Sequence, residues 1–508
     1  MRFVNLGVQK TNYLTNFPKE LFGSAKRKDQ DRIRLRREKL MQESIGGLAT
    51  LFSRWISIEF LPDRSSAQRD RVYNDVVTFW AWMSQMLGFN SSCSSAVSLV
   101  QSWRMQSGLK TVSSNTASYC AARKKLRLDL ITDAFQEVVN SVNSSISGED
   151  LWCGKVVYSV DGSSVRLLDT KPNQDEFPQP STQKKNCGFP VMKVLGLLNH
   201  STGLWEDYCT APPEEHDAKT MSRKLNQFTR QGLLLADRAF CSYEIISRAK
   251  TAGMDVVMRL HQMRAKGFTL RKGKRIGKNE RLVTWTKPKQ KPSHCELCDD
   301  EWERLESEMQ MRIIACWYVD REGRKKRLLL ATTMLDHKTY DWLEIANLYA
   351  TRWDIEVRLR DVKTTMGMEE LRVKKPEMAR KCFAMAMLAY NLVRAVAQEA
   401  SRIAEVKPYL MSYKETLDWV NSCAPNFYHA RTKSRGAQRK LRDSFIEVAS
   451  TKQVFHRPYR WEPRLVKKRP KAYRRMQHKR KDYHAAYLLG DAKVGEYEWS
   501  SSCQNALN

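Results

Sequence analysis

Apolar and polar positions change their rhythm near residue 150. Before it, Arg71 to Leu87 and Leu126 to Val142 carry apolar residues at helical spacing, which predicts a helical, basic region over residues 1–150. From Lys155 the apolar runs shorten. Val156, Val157, Tyr158 and Val160 predict a buried strand ending at Asp161. Val191 to Asn199 and Leu204 to Thr210 predict two further strands around an Asn-His-Ser-Thr-Gly turn, and Asp217 to Thr229 a helix. Leu233 to Ala236 then reads as a buried strand ending at Asp237, and Asp255 to Leu260 as a fifth.

Between the fifth strand and the next long helix, Gly267 to Ile276, Arg281 to Thr286, Arg312 to Val319 and Lys326 to Thr332 alternate or cluster like strands. They predict an inserted all-β subdomain over residues 263–332. Ala379 to Arg402 is strongly apolar and helical, and is expected to pack on the sheet. The predicted organisation is an α/β core over residues 151–262 and 333–405, with a helical and basic C-terminal region over 406–508.

Charge sharpens this picture. The chain has 508 residues, enough for about three domains, and a formal net charge of +31 from 87 Lys+Arg against 56 Asp+Glu. Such an excess points to a polyanionic partner, nucleic acid before an anionic membrane. No stretch approaches about 18 uninterrupted apolar residues, and the start Met1-Arg2-Phe3-Val4-Asn5 lacks a secretory apolar core, so a cytoplasmic, nucleoid-associated protein away from membranes is expected. From Arg457 to Lys481 there are twelve Lys or Arg against one carboxylate, Glu462, with Tyr459, Trp461 and Tyr473 interleaved. Phosphate contact with stacking explains the mixture, and a weakly binding charged tail is the alternative. In the N-terminal region, Val112 to Tyr119 reads as a capped helix start leading into Arg123-Lys124-Lys125. Arg123 and Lys124 suit a helix-turn-helix-like DNA reader, and equally the solvated face of an ordinary helical bundle.

The densest chemistry lies in Tyr349, Arg352, Glu356 and Lys363. At ~100° per residue they share an arc of about 60°, a stripe about 20 Å long at ~1.5 Å per residue. A carboxylate flanked by cations along a helix suits metal-dependent work on a phosphodiester backbone. The run Tyr349-Ala-Thr-Arg352-Trp-Asp-Ile-Glu356, continued to Lys363, resembles the Tyr-x2-Arg-x3-Glu-x6-Lys signature of one group of bacterial insertion-sequence transposases of the DDE class. Val160-Asp161-Gly162-Ser163-Ser164 and Leu235-Ala236-Asp237-Arg238-Ala239-Phe240 are similar to the blocks that carry that family's first two catalytic aspartates.

The resemblance implies a ribonuclease-H-like core with the β insertion, flanked by the helical DNA-binding N-terminus and the helical basic C-terminus. It implies a cut-and-paste enzyme that binds terminal inverted repeats of double-stranded DNA, nicks each end, passes through a hairpin and joins the 3′-hydroxyls to target DNA, acting as a homodimer. Asp161, Asp237 and Glu356 would be the catalytic metal ligands for two Mg²⁺ ions, with Mn²⁺ able to substitute. Tyr349, Arg352 and Lys363 would contact phosphates, Arg238 would reach the scissile phosphate or brace the Asp237 carboxylate, Trp353 would support a flipped base or pack, and Trp317, with Trp285 second, would stack on that base unless core-packed. The rival reading is a catalytically silent DNA-binding regulator or structural protein derived from such an element.

Other candidates read as structural. Glu214-Glu215-His216-Asp217 precedes a helix, where acids cap and favour the dipole, and Asp169 falls in a turn. Cys295 and Cys298 have the spacing of half a zinc site, but no second half follows. No Gly-x4-Gly-Lys-Ser/Thr run occurs, so ATP hydrolysis is not the energy source.

Overall fold

The computed structural model describes residues 45–57, 71–88, 92–184, 186–261, 273–319, 325–430 and 433–454. The basic tail from Arg457 to Lys481 lies outside the described residues. After a short helical segment at Leu48–Leu51 come four longer N-terminal helices: α1 (Asp75–Leu87), α2 (Cys93–Gln106), α3 (Ala117–Lys125) and α4 (Leu128–Asn143). Asn74 starts α1 by accepting the Val77 N–H at 2.8 Å, and Asn115 supports the start of α3 by accepting that of Ala117 at 2.8 Å. α4 buries Ile131, Ala134, Phe135, Val138 and Val142 at helical spacing.

The strands are β1 (Val157–Leu167), β2 (Val191–Asn199), β3 (Trp205–Ala211), β4 (Gly232–Ala236), β5 (Met254–Arg259), β6 (Lys274–Gly277), β7 (Glu280–Thr286), β8 (Glu308–Val319), β9 (Lys325–Thr332) and β10 (Glu370–Leu371). They form one mixed, mostly antiparallel sheet in the order β3-β2-β1-β4-β5-β9-β8-β7-β6, with β10 pairing to β1. The sheet departs from the sequence expectation at one junction. β9 pairs antiparallel with β5 through Val257↔Thr332, Met258↔Ala331 and Arg259↔Leu330, so the expected separate insertion extends the same sheet. Without β9, the outer backbone groups of β5 would be an unpaired edge.

Fully buried Arg312 of β8 strengthens that extension. It is ion-paired to Glu280 of β7 through Nε at 2.6 Å and donates to the Tyr340 carbonyl at 2.8 Å, which fastens the far half of the sheet to the chain entering the next helix. Helices α5 (Asp217–Phe228) and α6 (Tyr243–Thr251) cover one face, burying Met221, Leu225, Phe228, Ile245 and Ile246 against Val160, Leu195, Leu234 and Val256. The other face receives α7 (Trp342–Ala350), α8 (Asp354–Arg360) and the 28-residue α9 (Pro376–Ile403), followed in the chain by α10 (Tyr413–Ala430) and α11 (Arg435–Ser450).

The N-terminal helices join this second core. Tyr208 of β3 sits between Phe135 of α4 and Phe383 of α9, with ring centroids 5.4 and 5.5 Å apart, both edge-on. No helix among the described residues is long and apolar enough to cross a membrane. On α9, buried Asn391 accepts the Trp205 N–H at 2.9 Å and donates to the Trp205 carbonyl at 2.8 Å, beside a bulge at Leu197/Leu198. Asn391→Ala leaves both backbone groups of Trp205 buried and unpaired, at about 1–3 kcal/mol each. A clear fall in denaturant midpoint is therefore expected, and an unchanged midpoint would show that water replaces the amide.

Candidate active site

Strand register brings the first two carboxylates together. β1 and β4 run parallel with Val157↔Leu233, Tyr158↔Leu234, Ser159↔Leu235 and Val160↔Ala236 in register, and the next residue on each chain is Asp161 and Asp237. Neighbouring strands lie ~4.8 Å apart, so the register sets the two acids on adjacent chains at the same level of the sheet. Asp161 is not at a strand end, however, as the apolar run predicts. β1 continues to Leu167 because its other edge stays paired with β2 as far as Arg166↔Val191, whereas β4 does stop at Ala236.

The segment bearing the third carboxylate is less regular than a single long helix. α7 is followed by a 3₁₀ turn at Thr351–Trp353, then α8, then a π turn at Asp361–Thr365. Ala350, Asp354 and Asp361 all keep right-handed helical backbone, so the path is continuous while its winding tightens and then widens. The even 100° stripe is therefore redrawn. Tyr349 donates its hydroxyl to the Ala236 carbonyl at 3.3 Å, fastening α7 to the end of β4 next to Asp237. The Arg352 guanidinium, 6.0 Å from the Tyr349 ring centre, lies 3.4 Å from Glu356 Oε1 and 3.8 Å from Asp161 Oδ2.

Charge dominates this arrangement. Burial pushes the Asp161 carboxyl up to about 6; Gly162 N–H and Arg352 oppose the shift, while Glu356 and Asp237 add to it. Burial works against the charge of Arg352, yet Tyr349, Asp161, Asp237 and Glu356 outweigh it and raise its pKa. Tyr349 is pushed up to about 12, by burial first. The hard carboxylate oxygens of Asp161, Asp237 and Glu356 are of the donor type suited to divalent cations. Among the described residues no three of His, Cys, Asp and Glu converge closely enough to hold one ion as they stand. Arg352 spans Asp161 and Glu356 as their shared cation.

The remaining predicted residues divide. Lys363, in the π turn, is half-buried and lines a small cavity with Ser163, Gly196, Trp205 and Leu359. Arg238 is exposed directly after Asp237, and Trp353 is 52% exposed beside Arg352. Trp317 is 65% exposed on β8, opposite Arg327 of β9. Trp285 is instead core, packed edge-on against Tyr243 at 5.8 Å. Arg123 also departs from expectation. It is 7% exposed, stacked 4.3 Å over Trp82 and donating to Cys93 and Cys382 sulfurs at 3.3 and 3.1 Å, so it fastens α3 internally instead of facing a strand. Lys124 beside it is exposed.

The discounted acids behave as capping groups. His216 Nδ1 accepts the Ala218 N–H at 3.2 Å to start α5, and Glu215 binds Thr220 and Arg223 at 2.6 Å each. Asp169 accepts from Gln174, and Cys298 caps a short helix at Asp299–Glu303. Two features escape the sequence reading. Asp217 reaches under β1, where a Cβ on Gly162 would lie 2.9 Å from its Oδ2, and it pairs with Lys193 at 3.3 Å. Buried Arg358 is the other, and its signal is a cation within the apolar stripe Ile355, Leu359 and Val362.

Residues 152–392, which include the register-matched Asp161 and Asp237 and the helical Glu356, match the family described as the transposase DDE domain. Transposase InsG for insertion sequence element IS4, of Escherichia coli strain K12, is 27% identical over 334 residues, covering 63% of this chain and 70% of InsG. Over these residues the chain is thus similar to the DDE transposases of insertion sequences. A piggyBac transposase, solved by cryo-electron microscopy as a synaptic complex with hairpin DNA, is similar at a TM-score of 0.41 and 10% identity, over 78% of this chain and 84% of that one.

Because the folded pKa of Asp161 lies above its ordinary value of 3.8, the fold favours the protonated acid. The penalty for ionising it is absent below about pH 4, grows as the pH rises towards 6, and is full above that. Asp161→Asn should therefore stabilise the metal-free protein at pH 7, by at most about 2–3 kcal/mol, with the gain fading towards pH 4. Melting curves at both pH values check this, and a loss of stability at pH 7 would contradict it.

Proposed function

We propose that the protein is a cut-and-paste DNA transposase of the Tyr-x2-Arg-x3-Glu-x6-Lys group. In this reading it binds the inverted-repeat ends of a mobile element, cleaves them through a hairpin and joins the 3′-hydroxyls to target DNA. The observation that carries it is the register match of Asp161 with Asp237, with Glu356 reaching the same guanidinium as Asp161. The strand order β3-β2-β1-β4-β5 supports reading this half of the sheet as a ribonuclease-H-like core. The helices before residue 150 would then bind DNA, and the chain beyond 405 would supply the basic C-terminal region.

Asp161, Asp237 and Glu356 would hold two Mg²⁺ ions, or Mn²⁺ in their place. When bound, the metal supplies activation of the attacking water or 3′-hydroxyl and stabilisation of the leaving oxygen. The chain's own residues set the rest. Arg352 balances Asp161 and Glu356 in the free protein, and its forked guanidinium suits the phosphate once the carboxylates have another cation. Tyr349 fixes where Arg352 starts, through its bond to the end of β4. Lys363 and Arg238 would add phosphate contacts on either side, and Lys124 a contact further along the duplex. The exposed rings of Trp317 and Trp353 are available to stack on a displaced base. A homodimer would bridge the two ends.

The test is divalent-cation-dependent nicking of linear DNA that bears the element's own end. Asp237→Ala should retain binding and lose cutting by on the order of 10³-fold or more, because groups that act as a unit fail together. Binding without cutting by the native protein as well would favour the silent regulator. Trp317→Ala should leave the first nick intact and lower hairpin yield by about 10-fold, the scale of one stacking contact at ~1–3 kcal/mol. Unchanged hairpin yield would remove Trp317 from the site.

A further inference from the structure

A buried polar layer lies beneath the Glu356 segment and takes no part in the roles above. Arg358, two residues after Glu356, is 6% exposed, and Arg394 of α9 is fully buried. Arg358 Nη1 lies 3.5 Å from Oδ2 of Asp361, the first residue of the π turn, and its Nη2 lies 3.4 Å from the Tyr409 carbonyl. Arg394 donates to the Pro408 carbonyl at 2.9 Å and the Met411 carbonyl at 3.4 Å. The charges balance two against two. Burial raises the carboxyls of Asp354 and Asp361, and Arg358 and Arg394 oppose that shift in both.

The layer also reaches the sheet. His200, between β2 and β3, lies with Nε2 2.6 Å from Ser159 Oγ, and Ser159 shares a strand face with Asp161 two residues on. Burial pushes His200 down to about 4, with Arg358 adding to the shift. At Gly203, where φ is +73°, a Cβ would stand 2.6 Å from Arg394 Nη2, so the turn after His200 is closely fitted to that guanidinium. Four pieces of the site's surroundings therefore meet here: β1, the turn between β2 and β3, the α8-to-π junction and the 3₁₀ turn at Pro408–Leu410.

Two buried guanidiniums add little net stability over apolar side chains of the same volume, because desolvation offsets their attraction. Directional bonds to particular carbonyls do select one backbone conformation. The junction they meet needs such selection, since at Met366 the N–H passes over the usual partner to reach the Asp361 carbonyl at 3.0 Å. We propose that Arg358 is a positioning residue: with Asp361, the Tyr409 carbonyl and Arg394 behind it, Arg358 holds the α8-to-π junction in the form that presents Glu356 and Lys363 to Asp161 and Asp237. This rests on the reading of Glu356 and Lys363 as site residues given above.

The test uses the full chain with Arg358→Met and Arg358→Lys. Three quantities are measured: the cutting rate on an element end, the Mn²⁺ concentration for half-maximal cutting, and amide hydrogen exchange over residues 356–366. Arg358→Met, which leaves buried Asp361 without its partner, should melt lower than the native protein yet remain folded, cut about 10–100-fold more slowly, require more Mn²⁺ and exchange faster over that segment. Arg358→Lys should recover part of the rate. A folded Arg358→Met that matches the native protein in all three overturns the proposal. If Arg358→Met does not fold, Arg394→Lys should show the same three changes in weaker form, and its matching the native protein overturns it equally. If the native protein cuts no element end, the functional reading fails. Exchange then decides the positioning role alone, and unchanged exchange in the variants overturns that too.

Discussion

The parallel pairing of β1 with β4 is the constraint on which the site depends. It aligns two chain positions about seventy-five residues apart in sequence and leaves the next residue on each as an aspartate. Backbone hydrogen bonds set that alignment, so a slip of one residue would turn one carboxylate to the opposite face of the sheet. The remaining parts of the site attach to this frame. Tyr349 bonds to the last carbonyl of β4, Arg352 follows it by three residues, and Glu356 follows Arg352 by four. That three-then-four spacing is how far the helical path runs from its anchor on β4 before Glu356 reaches the guanidinium that also pairs with Asp161 on β1.

Arg352 gives the free site an internal counter-charge. Without it, Glu356 and Asp237 would add further to a carboxyl at Asp161 that burial already raises. A guanidinium can serve two masters in turn, because its charge does not titrate and its fork fits carboxylate or phosphate equally well. A lysine in its place would present a single point of attachment.

Much of this was legible in the chain. Periodicity located β2, β4, β5 and β9 within a residue and α9 within three, and the acids at the ends of two apolar runs stood out without any coordinates. What stayed hidden depended on pairing partners. β1 extends past Asp161 because β2 lies beside it, and the insertion merges with the main sheet because β9 meets β5; neither neighbour is visible in local pattern. The 3₁₀ and π turns around α8 likewise follow from tertiary bonds, since helical spacing looks the same whichever winding is adopted. Arg123 misled for a related reason. A cation at the end of a short basic helix looks solvated until Trp82 closes over it. Trp285 and Trp317 sit on similar strand patterns, and only the packing of Tyr243 separates the core ring from the exposed one.

Tyr208, gripped between Phe135 and Phe383, has a bearing on how such a chain evolves. A recognition region joined by a loose tether can be traded between lineages like a coupling on a hose. Here the first helices are built into the same masonry as α9, whose Asn391 in turn clasps β3. Inheritance should then move these parts as a block.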